Sequence, residues 1–286
     1  VVWCAGTGQS GFNALGSILC GDVNPSGRTI DTFVYDLTQT PTANNFGNFI
    51  YTNMDEFKAN SFGADTIPAF VNYVEGIYVG YKFYETAAAE GLIDYDKTVV
   101  YPFGRGLSYT TFTQTLNSVT EADGTITVDV TVTNTGSASG KEVVEVYYNP
   151  PYTNGGIEKA SANLIGFAKT SELAPGASEN VTVTFKAEDM ASYDTYGKGC
   201  YVLEKGDYVI SINADSHTVL DSKVYNVASD IVYDASNKRE SDVEVADNKF
   251  DFAEGNVTYL SRADGFANYA EATAAPADFE LPAEAK

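Results

Sequence analysis

The sequence predicts an α+β multidomain chain in which a mixed first part is followed by an all-β sandwich. Its 286 residues suffice for about two domains. The first part contains a strand, loop and helix pattern, and the part after residue 107 alternates apolar and polar residues as strands do. A stretch dense in aromatic residues, from residue 73 to residue 112, joins the two parts. We therefore place the boundary near residue 106.

The beginning of the chain predicts one strand–loop–helix unit. Val1–Ala5 has the pattern of a buried strand, Gly6–Gly11 is a glycine-rich loop, and Phe12–Cys20 carries apolar residues at helical spacing. The loop spells the dinucleotide-binding motif G-x-G-x-x-G, and Asp31 follows about 20 residues beyond it. We reject nucleotide binding because the turn Asn24-Pro-Ser-Gly-Arg28 stands where that motif requires a second parallel strand.

Composition excludes several classes of partner. The 39 acidic and 17 basic residues give a net charge of −22, which repels nucleic acid and anionic membranes. No apolar run approaches the roughly 20 residues that a membrane span needs. We therefore expect neither a nucleic-acid nor a membrane partner. The 20 tyrosines and 16 phenylalanines are typical of sugar-binding proteins, although aromatic cores account for most of this bias.

The sequence also offers no metal or cofactor site. Cys4, Cys20 and Cys200 are too few and too scattered for a zinc site or a disulfide framework, so we expect buried thiols. The single histidine, His217, follows Ser216 in a predicted turn and has neither metal-ligand spacing nor a nucleophile motif beside it. We expect it at the surface and predict that the protein needs no cofactor and no metal.

Residues 107–228 predict an all-β domain. In the segment Ile126–Asn134 every second residue is Ile or Val and the others are polar, which is the pattern of a half-buried strand. Further strands are predicted at Lys141–Tyr148, Asn163–Lys169, Asn180–Phe185 and Asp207–Asn213. About seven short strands in about 120 residues favour an immunoglobulin-like or fibronectin type III-like sandwich.

Three motifs resemble glycoside hydrolase family 3, the β-glucosidase family. They are G-D-V-N-P-S-G-R at Gly21–Arg28, Y-V-E-G-I-Y-V-G-Y-K-F-Y at Tyr73–Tyr84 and Y-P-F-G-R-G-L-S-Y-T-T-F at Tyr101–Phe112. In that family such motifs end the α/β sandwich domain and join it to a fibronectin type III-like domain. The resemblance implies that residues 1–106 are the C-terminal portion of a truncated α/β sandwich domain with its junction.

Residues 229–286 are predicted to be an acidic linker or tail. The segment Glu271–Lys286 is rich in Ala, Glu and Pro, which favours a linker or disorder. The segment Gly255–Asp264 resembles one found in domain-permuted members of the family, in which the barrel follows these domains. The resemblance implies that this chain lies in the middle of a longer enzyme, ahead of a missing barrel domain.

The resemblance implies a retaining exo-β-glycosidase that acts on oligosaccharides or aryl glycosides. Retaining glycosidases use two carboxyl groups about 5 to 5.5 Å apart. In the family these are an Asp of the barrel and a Glu upstream of Val1, and neither motif occurs here, so we expect an inactive fragment without a catalytic residue. Asp264-Gly-Phe266 resembles the nucleophile motif only weakly. The alternative is a non-catalytic carbohydrate-binding or cell-surface adhesion module. Compartment, cytoplasmic or extracellular, and oligomeric state stay open.

Candidate substrate contacts are Glu75, Tyr35, Tyr51 and Arg105. Glu75 stands in an apolar run, and because a buried unpaired carboxylate is costly we expect a structural ion pair or amide hydrogen bonds before any sugar contact. The region of Tyr35, Asn45 and Tyr51 lies near the active-site rim in many relatives. The simpler interpretation is an ordered segment that packs over the sandwich domain and has only a structural role. We also expect exposed apolar surface in the first hundred residues.

Overall fold

The computed structural model describes residues 4, 6, 8–55, 59–61, 64–242 and 257–283. The predicted helix after the glycine-rich loop is confirmed and begins at Gly11. The predicted strand over Val1–Ala5 lies outside the described residues, apart from Cys4. The helices are α1 (Gly11–Cys20), α2 (Tyr81–Ala89), α3 (Tyr95–Thr98), α4 (Ala263–Phe266) and α5 (Tyr269–Ala272). Short 3₁₀ turns cover Leu37–Gln39, Ala43–Asn45 and Ala187–Met190.

The strands confirm the predicted change to β structure after the junction. They are β1 (Phe33–Val34), β2 (Ala59–Ser61), β3 (Ala64–Thr66), β4 (Val99–Tyr101), β5 (Phe112–Ala122), β6 (Thr125–Asn134), β7 (Val143–Asn149), β8 (Asn163–Lys169), β9 (Ser178–Lys186), β10 (Ser192–Tyr193), β11 (Tyr201–Leu203), β12 (Gly206–Asn213), β13 (Val219–Val227) and β14 (Ile231–Tyr233). The small sheets are β1-β4, β2-β3 and β10-β11-β14.

Two antiparallel sheets form the predicted sandwich, one in the order β5-β6-β9 and the other in the order β13-β12-β7-β8. Strand β6 buries Ile126, Val128, Val130 and Val132 completely and turns its threonines to the outer side. Burying each such side chain contributes about 1.5–3 kcal/mol. The alternation that the sequence shows is therefore the core face of the sandwich.

A second apolar cluster lies outside the sandwich, around helix α2. The helix formers from Tyr84 to Gly91 predict a short capped helix. The structure confirms this helix, which begins three residues earlier, at Tyr81. Gly91 has a φ of 76°, a conformation in which glycine is favoured at the end of a helix. The buried members of the cluster are Tyr78, Phe83, Tyr84, Ala87, Val99, Ala160, Leu260, Phe266 and Ala272. The junction, the β7–β8 connection and the tail thus share one core.

Of the two expectations for Glu271–Lys286, disorder is wrong for the residues up to 283 that the structure describes, and a linker stays a prediction. The ring of Phe279 lies 4.8 Å from that of Phe70 and 5.1 Å from that of Tyr51, between ring centroids. The backbone N–H of Thr52 also donates to the carbonyl of Phe279 at 3.0 Å. The single aromatic residue Phe279, together with the hydrogen bond from the Leu281 N–H to Asn53 at 2.9 Å, holds this segment against the first part of the chain.

The prediction of buried thiols is wrong as well. Cys4 and Cys20 are exposed and Cys200 is only partly buried. Helix α1 buries none of its residues, and its Phe12 and Leu19 are exposed. The expected apolar surface in the first hundred residues is confirmed for this helix. No helix within the described residues combines the length and apolar character that crossing a membrane requires.

Candidate functional site at the sandwich junction

The first and third motifs pair with each other through Thr29. Its backbone N–H donates to the carbonyl of Arg105 at 2.8 Å, and its carbonyl accepts from the N–H of Gly104 at 2.9 Å. Its hydroxyl donates to the carbonyl of Pro102 at 2.6 Å and accepts from the N–H of Arg105 at 3.0 Å. Pro102 and Gly104 set the bend that makes this pairing possible, since Gly104 has a φ of 82°.

Asn24 then ties the first motif to the start of the sandwich. Its Oδ1 accepts from the Ser108 hydroxyl at 2.9 Å and from the Tyr109 N–H at 2.8 Å. Its Nδ2 donates to the carbonyl of Ser139 at 2.9 Å. The side chain approaches Gly140 so closely that a Cβ there would lie 2.5 Å from Nδ2. An amide suits this position because it both donates and accepts.

A buried cluster behind the junction contains Arg28, Glu142 just before β7, and Glu145 within β7. The Arg28 guanidinium contacts the carboxylate of Glu142, and Nε lies 4.0 Å from Oε1 of Glu145. Glu145 also accepts a hydrogen bond from the Tyr147 hydroxyl at 2.9 Å. Burial raises the pKa of Glu145 to about 7, against the lowering effects of Tyr147 and Arg28. Both carboxylates serve here as anchors for Arg28.

A second polar cluster links α2 and α3 to the hairpin between β12 and β13. The Glu85 carboxylate accepts from the Tyr95 hydroxyl at 2.7 Å and from the Ser216 hydroxyl at 2.8 Å. Its other oxygen lies 2.8 Å from Nδ1 of His217, whose ring stacks on Tyr95 with 3.6 Å between centroids. The predicted surface position of His217 is confirmed, but the ring also anchors the hairpin to the helices.

Arg262 anchors the tail to the cluster around α2. Its Nε donates to Glu90 at 2.7 Å and its Nη1 donates to the carbonyl of Lys159 at 2.9 Å. The neighbouring Ser261 hydroxyl donates to Glu158 at 2.5 Å, as does the N–H of Arg262 at 3.0 Å. Glu158 and Arg262 carry no local signal of this role in the sequence, apart from the position of Arg262 within a segment that resembles the family.

Asp264 has a local structural role. Its carboxylate accepts a hydrogen bond from Nδ2 of Asn154 at 2.7 Å. Its backbone N–H donates to Oδ1 of Asn154 at 2.8 Å. Its φ of 51° and that of Phe266, 63°, place a left-handed turn here, which drives the Phe266 ring into the core. Among the described residues no group of His, Cys, Asp and Glu side chains is arranged to hold a metal ion.

The predicted substrate contacts do not form one site. Tyr35 is 69% exposed, and its N–H donates to the carbonyl of Thr98 at 3.1 Å, beside the β1–β4 ribbon. The Arg105 guanidinium lies over the ring of Tyr101 in β4, 5.8 Å from its centroid. Tyr51 packs on Phe70 instead, and burial raises its pKa. No described hydrogen bond, ion pair or ring contact joins two of the four candidates.

Glu75 does not form the expected ion pair with any residue that the structure describes. The residue is 7% exposed, and its Oε2 has no hydrogen-bond partner among the residues that the structure describes. Desolvation raises the pKa of its carboxyl group, with a smaller opposing contribution from its own backbone N–H. The site therefore favours the neutral acid, which avoids the cost that an ion pair was expected to offset.

A family model described as a fibronectin type III-like domain matches residues 142–216. Over longer stretches the chain is similar to β-glucosidases. It is 38% identical over 219 residues to β-glucosidase A of Butyrivibrio fibrisolvens, which covers 70% of this chain and 23% of that protein. It is 34% identical to a β-glucosidase of Ruminococcus albus, with 73% of this chain and 19% of that protein covered. The chain thus spans about a fifth to a quarter of these relatives.

Solved structures agree with the sequence matches. The fold superimposes on β-glucosidase 3B from Thermotoga neapolitana in complex with α-D-glucose with a TM-score of 0.65 and 32% identity, over 82% of this chain and 28% of that one. The β-glucosidase from Kluyveromyces marxianus in complex with glucose gives a TM-score of 0.62 and 30% identity, over 77% and 23%. The chain is therefore a β-glucosidase-like sequence of glycoside hydrolase family 3 that includes a fibronectin type III-like domain.

Proposed function

We propose that this chain is the bracing part of a longer exo-acting β-glucosidase-like enzyme, which removes terminal β-linked sugars with retention. The observation that supports this is the docking of the two family motifs on each other and on the sandwich through Asn24, Arg28 and Thr29. A free-standing carbohydrate-binding or adhesion sandwich has no need of those motifs. The β-glucosidase matches supply the reaction class.

The catalytic carboxylates of this enzyme lie in other parts of the polypeptide. A retaining mechanism needs a nucleophile and an acid/base that both reach the sugar. Glu142 and Glu145 are occupied with Arg28, and Glu85 accepts hydrogen bonds from Tyr95 and Ser216. These carboxylates hold the fold, which is why we propose that the chain alone is inactive.

The domain division follows the same proposal. Residues 1–106 are the end of the α/β sandwich domain with its junction, residues 107–228 are the fibronectin type III-like brace, and residues 229–286 lead towards a barrel domain. The contacts of Arg262 and Phe279 give the last part a second role. It returns across the junction before the chain continues, and so helps to fix the orientation of the first domain.

Of the four candidate substrate contacts, Tyr35 and Arg105 suit the active-site wall best. Both are exposed and both belong to the surface beside the β1–β4 ribbon. An exposed tyrosine ring stacks on a pyranose face and a guanidinium donates to sugar hydroxyls. Tyr51 and Glu75 are engaged in packing, so we propose that they support this wall from within.

The experiment is hydrolysis of aryl β-glucoside and aryl β-xyloside by the 286-residue chain, compared with the same chain within a polypeptide that contains its flanking sequences. We expect turnover only in the longer protein, with the β-anomer of the sugar as the first product. Turnover by the chain alone would contradict the assignment of the catalytic pair to other segments. Inactivity of the longer protein on all glycosides, with retained sugar binding, would favour the binding-module alternative.

A further inference from the structure

A cleft of about 270 Å³ lies where the first motif meets the outer face of β7 and β8. Its lining is largely apolar and includes the side chains of Ile30, Phe103, Leu164 and Phe167. Ile30 and Phe167 are among the most exposed large apolar residues of the chain, and Phe167 is 68% exposed. Exposed apolar walls around a cavity are typical of small-molecule sites.

Two cationic side chains line this cleft, although the chain as a whole has a net charge of −22. They are Lys169 and Arg28. Lys169 Nζ donates to the carbonyl and to the hydroxyl of Ser26, each at 3.0 Å, which leaves one N–H free. Desolvation lowers the pKa of Lys169, and repulsion from Arg28 and Lys141 lowers it further. Glu142 opposes this lowering, and Lys169 remains a cationic donor at the cleft.

Two acidic residues, Glu142 and Glu145, lie near these cationic side chains. Glu142 is held by the Arg28 guanidinium. Glu145 lies on the floor of the cleft, is 4% exposed, and has a pKa raised to about 7, so it is largely neutral in mildly acidic solution. Arg28 Nε is buried and makes no hydrogen bond to any described residue. Because Arg28 is paired with Glu142, an anion in the cleft would have the remaining N–H of Lys169 as its cationic contact.

We propose that this cleft binds a small carboxylate with an aromatic or aliphatic body, which lies between Ile30 and Phe167 while its carboxylate contacts Lys169. A sugar would leave its hydroxyls unpaired against these walls, and an amine would be repelled by Lys169 and Arg28. The cleft is lined by Thr29 and Gly104, next to Arg105, but by none of the four candidate substrate contacts. It does not depend on the reaction that the longer enzyme catalyses.

The test is calorimetric titration of the 286-residue chain at pH 6 with trans-cinnamate, cinnamyl alcohol and cinnamylamine. These probes share one apolar body and differ in the charge of the head group. We expect saturable binding of cinnamate, at least about tenfold tighter than that of the alcohol, and no measurable binding of the amine. Equal affinity for acid and alcohol, or no binding of cinnamate at about 10 mM, would overturn the proposal.

Two substitutions locate the site. Lys169→Gln should weaken cinnamate about tenfold and leave the alcohol unchanged, and Phe167→Ala should weaken both about fivefold. The matched controls are Lys198→Gln and Tyr196→Ala, which alter exposed side chains of the same types on another loop. Near-UV circular dichroism of each variant checks that the fold is retained. Cinnamate affinity that is the same in Lys169→Gln as in Lys198→Gln would contradict the placement of the carboxylate.

Discussion

The carboxylate of Glu85 lies 2.8 Å from Nδ1 of His217, a residue 132 positions further along the chain. This contact joins helix α2 at the end of the first domain to the β12–β13 hairpin of the sandwich. Ser216 reinforces it from both sides, since its hydroxyl donates to Glu85 and its N–H donates to the carbonyl of Phe103. A buried carboxylate therefore holds helix α2 against this hairpin in addition to apolar packing.

Removal of this carboxylate should destabilise the junction. Glu85→Ala leaves the hydroxyls of Tyr95 and Ser216 without their acceptor, and we expect a loss of about 2–3 kcal/mol in the free energy of unfolding. Urea unfolding measures this loss. The control Glu172→Ala removes an exposed carboxylate and should stay within about 0.5 kcal/mol of the wild type. Equal midpoints for the two variants would refute a structural role for Glu85.

The close approach of Gly104 to Glu145 predicts a steric cost. A Cβ at Gly104 would lie 2.2 Å from Oε2 of Glu145, and the backbone has a φ of 82°. Gly104→Ala should therefore cost about 3 kcal/mol, measured by urea unfolding. Gly91→Ala is the matched control, because its φ is 76° but nothing lies within 4 Å. The control should lower the free energy of unfolding by only about 1 kcal/mol. Equal losses in the two variants would show that the Glu145 side chain moves aside without an energetic cost.

Glu145 should make stability depend on pH. Its pKa rises from 4.5 to about 7 on folding, so between these values the native state binds more protons than the unfolded chain. The free energy of unfolding then falls as pH rises through this window, by about 3 kcal/mol in total. Glu145→Gln should remove that fall, and so exceed the wild type in stability at pH 8 but not at pH 4. Parallel pH curves for the two proteins would contradict the shift.

Arg262 should control the docking of the tail. The N–H of Leu260 donates to the carbonyl of Val74 at 2.7 Å, which places an exchangeable proton inside the docked segment. Arg262→Ala removes the contact with Glu90 and should speed amide exchange at Leu260 by at least about tenfold. Arg105→Ala, which removes an exposed guanidinium, serves as the control. Unchanged exchange in Arg262→Ala would mean that aromatic packing alone holds the tail.

Tyr35 should contribute to substrate binding in the longer enzyme. Loss of a stacked ring from the active-site wall is expected to lower kcat/KM for an aryl β-glucoside about tenfold, mainly through KM. Tyr35→Ala is compared with Tyr196→Ala, because Tyr196 is also exposed, at 83% against 69%, and lies on another loop. The same kcat/KM in both variants would remove Tyr35 from the wall.

Local patterns were enough to predict much of the fold. The alternation in Ile126–Asn134 identifies strand β6, because successive residues of a strand face opposite sides wherever it lies. The helix formers before Gly91 likewise identify α2, and the motif residues Asn24 to Arg28 point to the family. Each of these features depends on neighbouring residues only, so a single sequence determines it.

Contacts between distant residues were decided only by the tertiary structure. Arg28 meets Glu142 across 114 positions, and no local pattern distinguishes that glutamate from the chain's other carboxylates. The tail showed the same limit, since its composition favours disorder while Phe279 and Arg262 dock it on the first domain. Glu75 makes no ion pair with any described residue, and burial raises the pKa of its carboxyl group instead. Composition and spacing determine elements and motifs, whereas the pairing of buried charges follows from the backbone positions that packing creates.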